Sequence, residues 1–176
     1  MPPDIQKLVD RIESQRDKLL QSFKSLSQDQ FNKSPSPGRW SAAEVLSHII
    51  AAERLSLAYM QKKVQGIESA AISGPWEEIK MAILKASQRL PGLKFKAPKR
   101  LVENTALYRD LASIESEWVK VRTDLRGLLE KIPQEKLNRL IYKHPVAGYL
   151  NVRHAVDFFH EHIHHHLTQL RNLQKK

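Results

Sequence analysis

The chain contains no cysteine among its 176 residues. Disulfides, thiolate zinc sites, iron–sulfur clusters and a protein thiol nucleophile are therefore excluded, and any thiol chemistry has to arrive with a substrate or cosubstrate. No apolar run approaches the length of a membrane span, and the opening Met1-Pro2-Pro3-Asp4 lacks a signal-peptide pattern. The expectation is a cytoplasmic protein without membrane contact. Internal repeats and low-complexity tracts are missing, and β signal is almost wholly absent.

What is present fits a soluble globular protein, with 41% hydrophobic and 27% charged residues. The length suits a single domain over residues 1–176 with a core of ordinary size. The net charge of +10, from 29 Lys and Arg against 19 Asp and Glu, suggests affinity for anions. Its densest source is Lys94-Phe-Lys-Ala-Pro-Lys-Arg100. Basic loops of this kind are commonly solvated and bind little alone. No nucleic-acid-binding signature accompanies it, so nucleic acid is disfavoured as a partner.

Periodicity predicts four long helices. The first runs from about Asp4 to Gln28, with Ile5, Leu8, Ile12, Leu19, Phe23 and Leu26 on one face. Asn32-Lys-Ser-Pro-Ser-Pro-Gly-Arg39 breaks it. The second starts at Ser41, where Ser41-Ala-Ala-Glu44 is a capping box, and fades near Gly66. The third, from about Thr105 to Lys131, carries Leu107, Leu111, Ile114, Trp118, Val121, Leu125, Leu128 and Ile132 with no polar interruption. The fourth, from about Asn151 to Leu173, follows Pro133 and His144-Pro-Val-Ala-Gly148. A long connection after the second helix holds a short helix opened by Pro75, and it permits neighbouring helices to run parallel. The expected fold is an all-α four-helix bundle.

Histidines interrupt two of these apolar stripes. With Phe159 as the core direction and about 100° per residue, His166 falls about 20° from the core axis and His162 about 60° on the same side. His160 and His164 lie about 100° and 140° away, and His165 about 120° the other way, so these three face solvent. On the second helix His48 lies about 60° from Val45, in a stripe with Ala52 and Tyr59. Two histidines one turn apart and a third from a facing helix make three imidazole ligands. Three protein ligands leave an open position, as catalytic metal sites do. A single core histidine is commonly just a hydrogen-bonded core residue, but neutral imidazoles paired on one core face are costly to bury without partners. Trp40 reads as packing at the helix entrance. On the first helix, Gln15 and Arg16 interrupt the stripe, and Arg16 reads as a snorkelling side chain with reach to a substrate anion as the weaker alternative.

At these residues the chain resembles the DinB/YfiT-like superfamily. Gly38-Arg-Trp-Ser-Ala-Ala-Glu-Val-Leu-Ser-His48 is like that family's entry to its second helix. His144-Pro-Val-Ala-Gly-Tyr-Leu150 is like its lead into the last helix, and His162-x-x-x-His166-x-x-Gln169 is like its terminal motif. The resemblance implies an up-down-down-up bundle with nickel or zinc held by His48, His162 and His166. Members include thiol-dependent S-transferases, a mycothiol-dependent maleylpyruvate isomerase and proteins described as metal-dependent hydrolases, and homodimers are frequent.

The leading expectation is therefore a divalent-metal enzyme that activates water or a low-molecular-weight thiol cosubstrate toward a small-molecule substrate. Glu44 and Tyr59 are the nearest candidates for a general base, and Gln169 could orient His166. The alternatives are a non-catalytic metal-binding or interaction module of a stress-response type, and a nucleic-acid-binding bundle using Lys94 to Arg100.

Overall fold

The structure, a computed structural model, describes residues 1–90 and 98–174. Its elements in order are α1 (Pro3–Gln21), α2 (Gln28–Asn32), α3 (Ala42–Val64), α4 (Pro75–Arg89), α5 (Lys99–Glu103), α6 (Leu111–Lys131), a hairpin of β1 (Tyr142–His144) and β2 (Gly148–Leu150), and α7 (Val152–Gln174). The long helices α1, α3, α6 and α7 enclose a core that includes Ile12, Phe23, Ile49, Met60, Trp118, Leu125 and Phe159. Among the described residues, no helix is long and apolar enough to cross a membrane.

Side-chain pairs fix the direction of each helix. Along α1 and α7 the partners advance together, from Asp4–Arg153 through Arg11–Asp157 and Gln15–His160 to Ser22–Gln174, so these helices are parallel. From Ser47–Tyr108 to Arg54–Glu117 the partners of α3 advance with the chain that runs into α6, so these two helices are parallel as well. Gln6–Arg126 and Glu13–Arg122 run in opposite senses, so α1 and α6 are antiparallel. The order is up-down-down-up. The long connection between α3 and α6 makes this possible, since parallel neighbours need a crossover. Within that connection α4 lies outside α7 and parallel to it, tied by Glu78–His154, Lys85–Asp157 and Arg89–Glu161.

Three local expectations are corrected. The first helix ends at Gln21 rather than near Gln28, because the Ser22 hydroxyl donates to the Leu19 carbonyl (2.6 Å) and a run of turns carries the chain to α2. α2 has its own capping box from Ser27 and Gln30. The third long helix starts at Leu111, since the Asp110 carboxylate accepts from the Ser113 amide (2.7 Å) as N-cap. Residues 104–110 thus form a strap, and Leu107, expected in the core seam, is 42% exposed on it. The lead into α7 is a small antiparallel hairpin, with Tyr142 paired to Leu150 and His144 to Gly148. Gly148 closes it at φ +74, a conformation that favours glycine.

The third long helix also carries a polar interruption that its apolar seam hid. Arg122 is buried and makes a bidentate pair with buried Glu53 of α3 (2.7 and 2.7 Å), while the Trp118 indole donates to the same carboxylate (2.9 Å).

Candidate metal centre

Two local devices deliver the histidines. On α3, the Ser41 hydroxyl accepts from the Glu44 amide (3.2 Å) and the Glu44 Oε2 accepts from the Ser41 amide (2.7 Å), which fixes the first turn of the helix. His48 stands one turn beyond Glu44. On α7, His162 and His166 are one turn apart on the face turned toward α3. All three are at least nine-tenths buried.

The rings converge. Centroids of His48 and His162 are 5.2 Å apart, of His48 and His166 5.2 Å, and of His162 and His166 4.9 Å. One nitrogen from each lies within 4.8 Å of the others. Ligands about 2.0–2.1 Å from a tetrahedral ion lie about 3.3–3.5 Å from one another, so the three nitrogens stand near one another but wider than ligand spacing. Among the described residues this is the one group of three or more potential ligands placed to hold a metal.

The protonation states suit a metal. Burial, with the neighbouring charge of His165, holds His48 down at about 4. Burial and His48 hold His166 at about 3, and burial with the charges of His166 and His48 keeps His162 well below the ordinary range. All three are therefore neutral near pH 7 and present lone pairs. The Nδ1 of His166 lies 3.1 Å from the Gln169 Oε1, and a proton on this nitrogen would leave Nε2 for an ion. The Nδ1 of His162 is buried without a hydrogen-bond partner, an unsatisfied imidazole nitrogen inside the cluster. Phe158 stacks on His162 (5.3 Å, 16°), and Trp40 leans on His48 (5.0 Å, 51°). The residues present fit a divalent ion.

A cleft of about 190 Å³ reaches the triad at His48. It is lined by Trp40, Glu44, His48, Val102, Thr105 and Leu107. Glu44 is therefore brought to the site, whereas Tyr59 is not. Tyr59 stands about 16 Å along α3 from His48, where burial and the Tyr149 hydroxyl raise its pKa. Arg16 is not available to a substrate anion, being buried between Glu13 and Asp17. Gln15 donates to the His160 carbonyl (3.2 Å).

Of the remaining histidines expected to face solvent, His164 is exposed. His160 is half-buried beside Glu161, and His165 is half-buried with its Nδ1 3.1 Å from the Gln88 carbonyl at the end of α4. α4 covers His165 through Gln88, whereas His160 lies on the side of α7 that meets α1, where Gln15 donates to its carbonyl. The segment Lys94 to Ala97 of the basic stretch lies outside the described residues. Sequence reasoning did not place two residues beside the centre, Phe158 and His144, although the latter opens a family motif. Phe158 stands one turn before His162, a spacing that could have revealed it. His144 packs its ring on Phe158 (4.5 Å), and its Nδ1 accepts from the Val146 and Ala147 amides (3.1 and 3.0 Å). Burial pushes it down to about 4, and no periodicity marks such a turn-bound imidazole.

Comparison with known proteins follows the same lines. The chain is 28% identical over 154 residues to the uncharacterised protein YuaE of Bacillus subtilis (strain 168), covering 88% of this chain and 89% of YuaE. Its fold is similar to that of YfiT from Bacillus subtilis, at a TM-score of 0.55 and 16% identity over 97% of this chain and 85% of YfiT. YfiT is described as "a probable metal-dependent hydrolase with an unusual four-helix bundle topology". The sequence profile of the DinB superfamily matches residues 11–170, and the chain belongs to that superfamily.

Proposed function

We propose that the protein is a divalent-metal-dependent enzyme of the hydrolase type, with zinc or nickel held by His48, His162 and His166. The observation that carries this reading is the meeting of three buried, neutral imidazoles with a cleft that brings one carboxylate, Glu44, beside them. The description of YfiT as a probable metal-dependent hydrolase supports it. Imidazole ligands suit both zinc and nickel. When bound, the ion supplies positive charge that acidifies a water or a thiol and polarises a carbonyl.

The chain's own residues do the rest. Gln169 accepts from the His166 Nδ1 and so leaves Nε2 free to ligate. The rings of Trp40 and Phe158 pack against His48 and His162 and fix their orientation. Glu44 keeps Oε2 on the Ser41 amide, and its Oε1 accepts the proton of the nucleophile. Without cysteine in the chain, a low-molecular-weight thiol in place of water would come as cosubstrate, which is the transferase variant of the same chemistry.

The test is metal content by elemental analysis of tag-free wild type, His48→Ala, His162→Ala and His166→Ala, followed by an ester and amide screen with and without added thiol. Near-stoichiometric metal in wild type, lost in each variant together with turnover, is the expected result. Glu44→Gln keeps its metal and loses turnover by about 10²–10⁴-fold. Metal that persists in all three histidine variants, or turnover independent of it, overturns the reading.

A further inference from the structure

We propose that the outward face of α4 is a self-association surface, on which a second copy of the chain packs its own α4 antiparallel across a two-fold axis. None of the residues of this face lines the cleft or belongs to the histidine triad, so it is independent of the metal-enzyme reading.

α4 turns apolar side chains to both of its sides. Met81 and Leu84 enter the core with Gln88 beside them, and α7 packs near that face. The opposite side of such a helix ordinarily carries charge. Here it carries Trp76, Ile79, Ala82, Ile83 and Ala86, all exposed, with Trp76 and Ile83 at 62% each and Ile79 at 48%. Ile72 just before the helix and Leu90 at its end are exposed as well. A continuous apolar patch of this kind marks an interaction site, whereas scattered exposed apolar residues do not.

The spacing points to another helix as the occupant. Trp76, Ile79, Ile83, Ala86 and Leu90 follow one another by steps of three and four, as the a and d positions of a heptad do. Buried Met81 and Gln88 fall at f, directly opposite, so the seam can meet a partner without disturbing the fold. A second α4 fits this seam when it runs antiparallel. With Met81 at the level of the axis, Trp76 meets the partner's Ala86 and Ile79 meets the partner's Ile83. The largest side chain of the seam then lies against the smallest. A parallel pair would instead set the two Trp76 rings on each other and leave the two Ala86 methyls with a gap. Charge favours the same orientation. Glu78 near the start of α4 and Arg89 near its end share one flank of the seam, at c and g, with 68% and 56% of their side chains exposed. Antiparallel pairing turns Glu78 toward the partner's Arg89 and Arg89 toward the partner's Glu78, in addition to their bonds to His154 and Glu161. The helix has 15 residues and is about 22 Å long, so the interface is small and the association reversible.

Sedimentation velocity of the purified full chain, from about 1 to about 500 μM, reads the association. Wild type is expected to pass from monomer to dimer over this range. Ile83→Glu should weaken the dimer by about ten-fold or more, because it sets a carboxylate inside the seam. Ile83 is exposed in the single chain, so this variant should keep the far-UV spectrum and the metal content of wild type. Orientation is read by oxidative crosslinking, since the chain has no cysteine of its own to compete. A mixture of Trp76→Cys and Ala86→Cys is expected to give the mixed disulfide, identified by intact mass. Disulfides that form instead within each variant alone would indicate a parallel pair and overturn the proposal. A dimer left intact by Ile83→Glu places the contact elsewhere and overturns it as well. So does a chain that stays monomeric throughout. In that case the fluorescence lost in Trp76→Phe would show what covers the face, a lipid surface if it responds to anionic vesicles or the chain itself if iodide fails to quench it.

Discussion

Burial makes the histidines of the centre sensitive to acid. His48 sits at about 4 and His166 at about 3 against an ordinary value of 6.5, and His162 is also well below it. A depressed histidine binds fewer protons folded than unfolded, so its stabilising contribution is complete above about pH 6.5 and fades as pH falls through the folded value. The metal-free protein should therefore melt at progressively lower temperature between about pH 6.5 and pH 4. His48→Gln, which cannot titrate, should flatten that slope in a scanning-calorimetry series. A slope unchanged by the substitution would show that the acid sensitivity lies elsewhere. His48, His162 and His166 were legible because a polar ring on a core-facing stripe contradicts the periodicity around it. Tyr59 shares the stripe of His48 yet sits three turns away, since periodicity reports a face and not a height along the helix. His144 was read only as the start of a motif, not as a neighbour of the centre, because its partners are the amides of its own turn.

At the scale of elements, α3 and α6 are held together by a charge pair inside the core. Removing one partner leaves the other buried and unpaired, which costs about 3–5 kcal/mol. Arg122→Ala should therefore lower the urea-unfolding free energy by about that amount, and Arg122→Met combined with Glu53→Gln should recover much of it. Equal losses in the single and double variants would mean that the pair contributes through packing alone. The helix seam read from Ile114, Trp118, Val121 and Leu125 was correct as an apolar face, but Arg122 lies one residue beside it. A lone arginine next to a seam looks like surface unless its partner on another helix is known. Where a side-chain cap sets a helix start, that start was legible only if the cap was weighed. Ser41-x-x-Glu44 placed the start of α3, while Ser27-x-x-Gln30 and Asp110, equally explicit, were passed over and moved two boundaries. The hairpin around Pro145 is three residues a side, too short for alternation to show.

At the scale of the whole molecule, the centre joins two antiparallel helices, α3 and α7, that are far apart in sequence. The bundle order was legible through the long connection and the family motifs, whereas the partners that align α1 with α7 and α3 with α6 are polar and charged pairs between distant residues, with no pattern in the chain. This arrangement gives metal binding a global consequence. The unfolded chain separates His48 from His162 and His166, so an ion held by all three stabilises only the folded state. At free metal of 100 times the dissociation constant the gain is about 2.7 kcal/mol. For a chain of this size each kcal/mol moves the melting temperature by about 2–4 °C, so saturation with zinc or nickel should raise it by about 5–11 °C. A chelator should reverse the shift. In His48→Ala the pair left on α7 lies within one helix and no longer ties it to α3. The shift should then shrink to a small fraction of the wild-type value. A full shift retained in His48→Ala would place the stabilising ion on the histidine-rich end of α7 instead of in the centre. The absence of any shift in wild type, with metal present in excess, would mean that the three imidazoles do not act as one site.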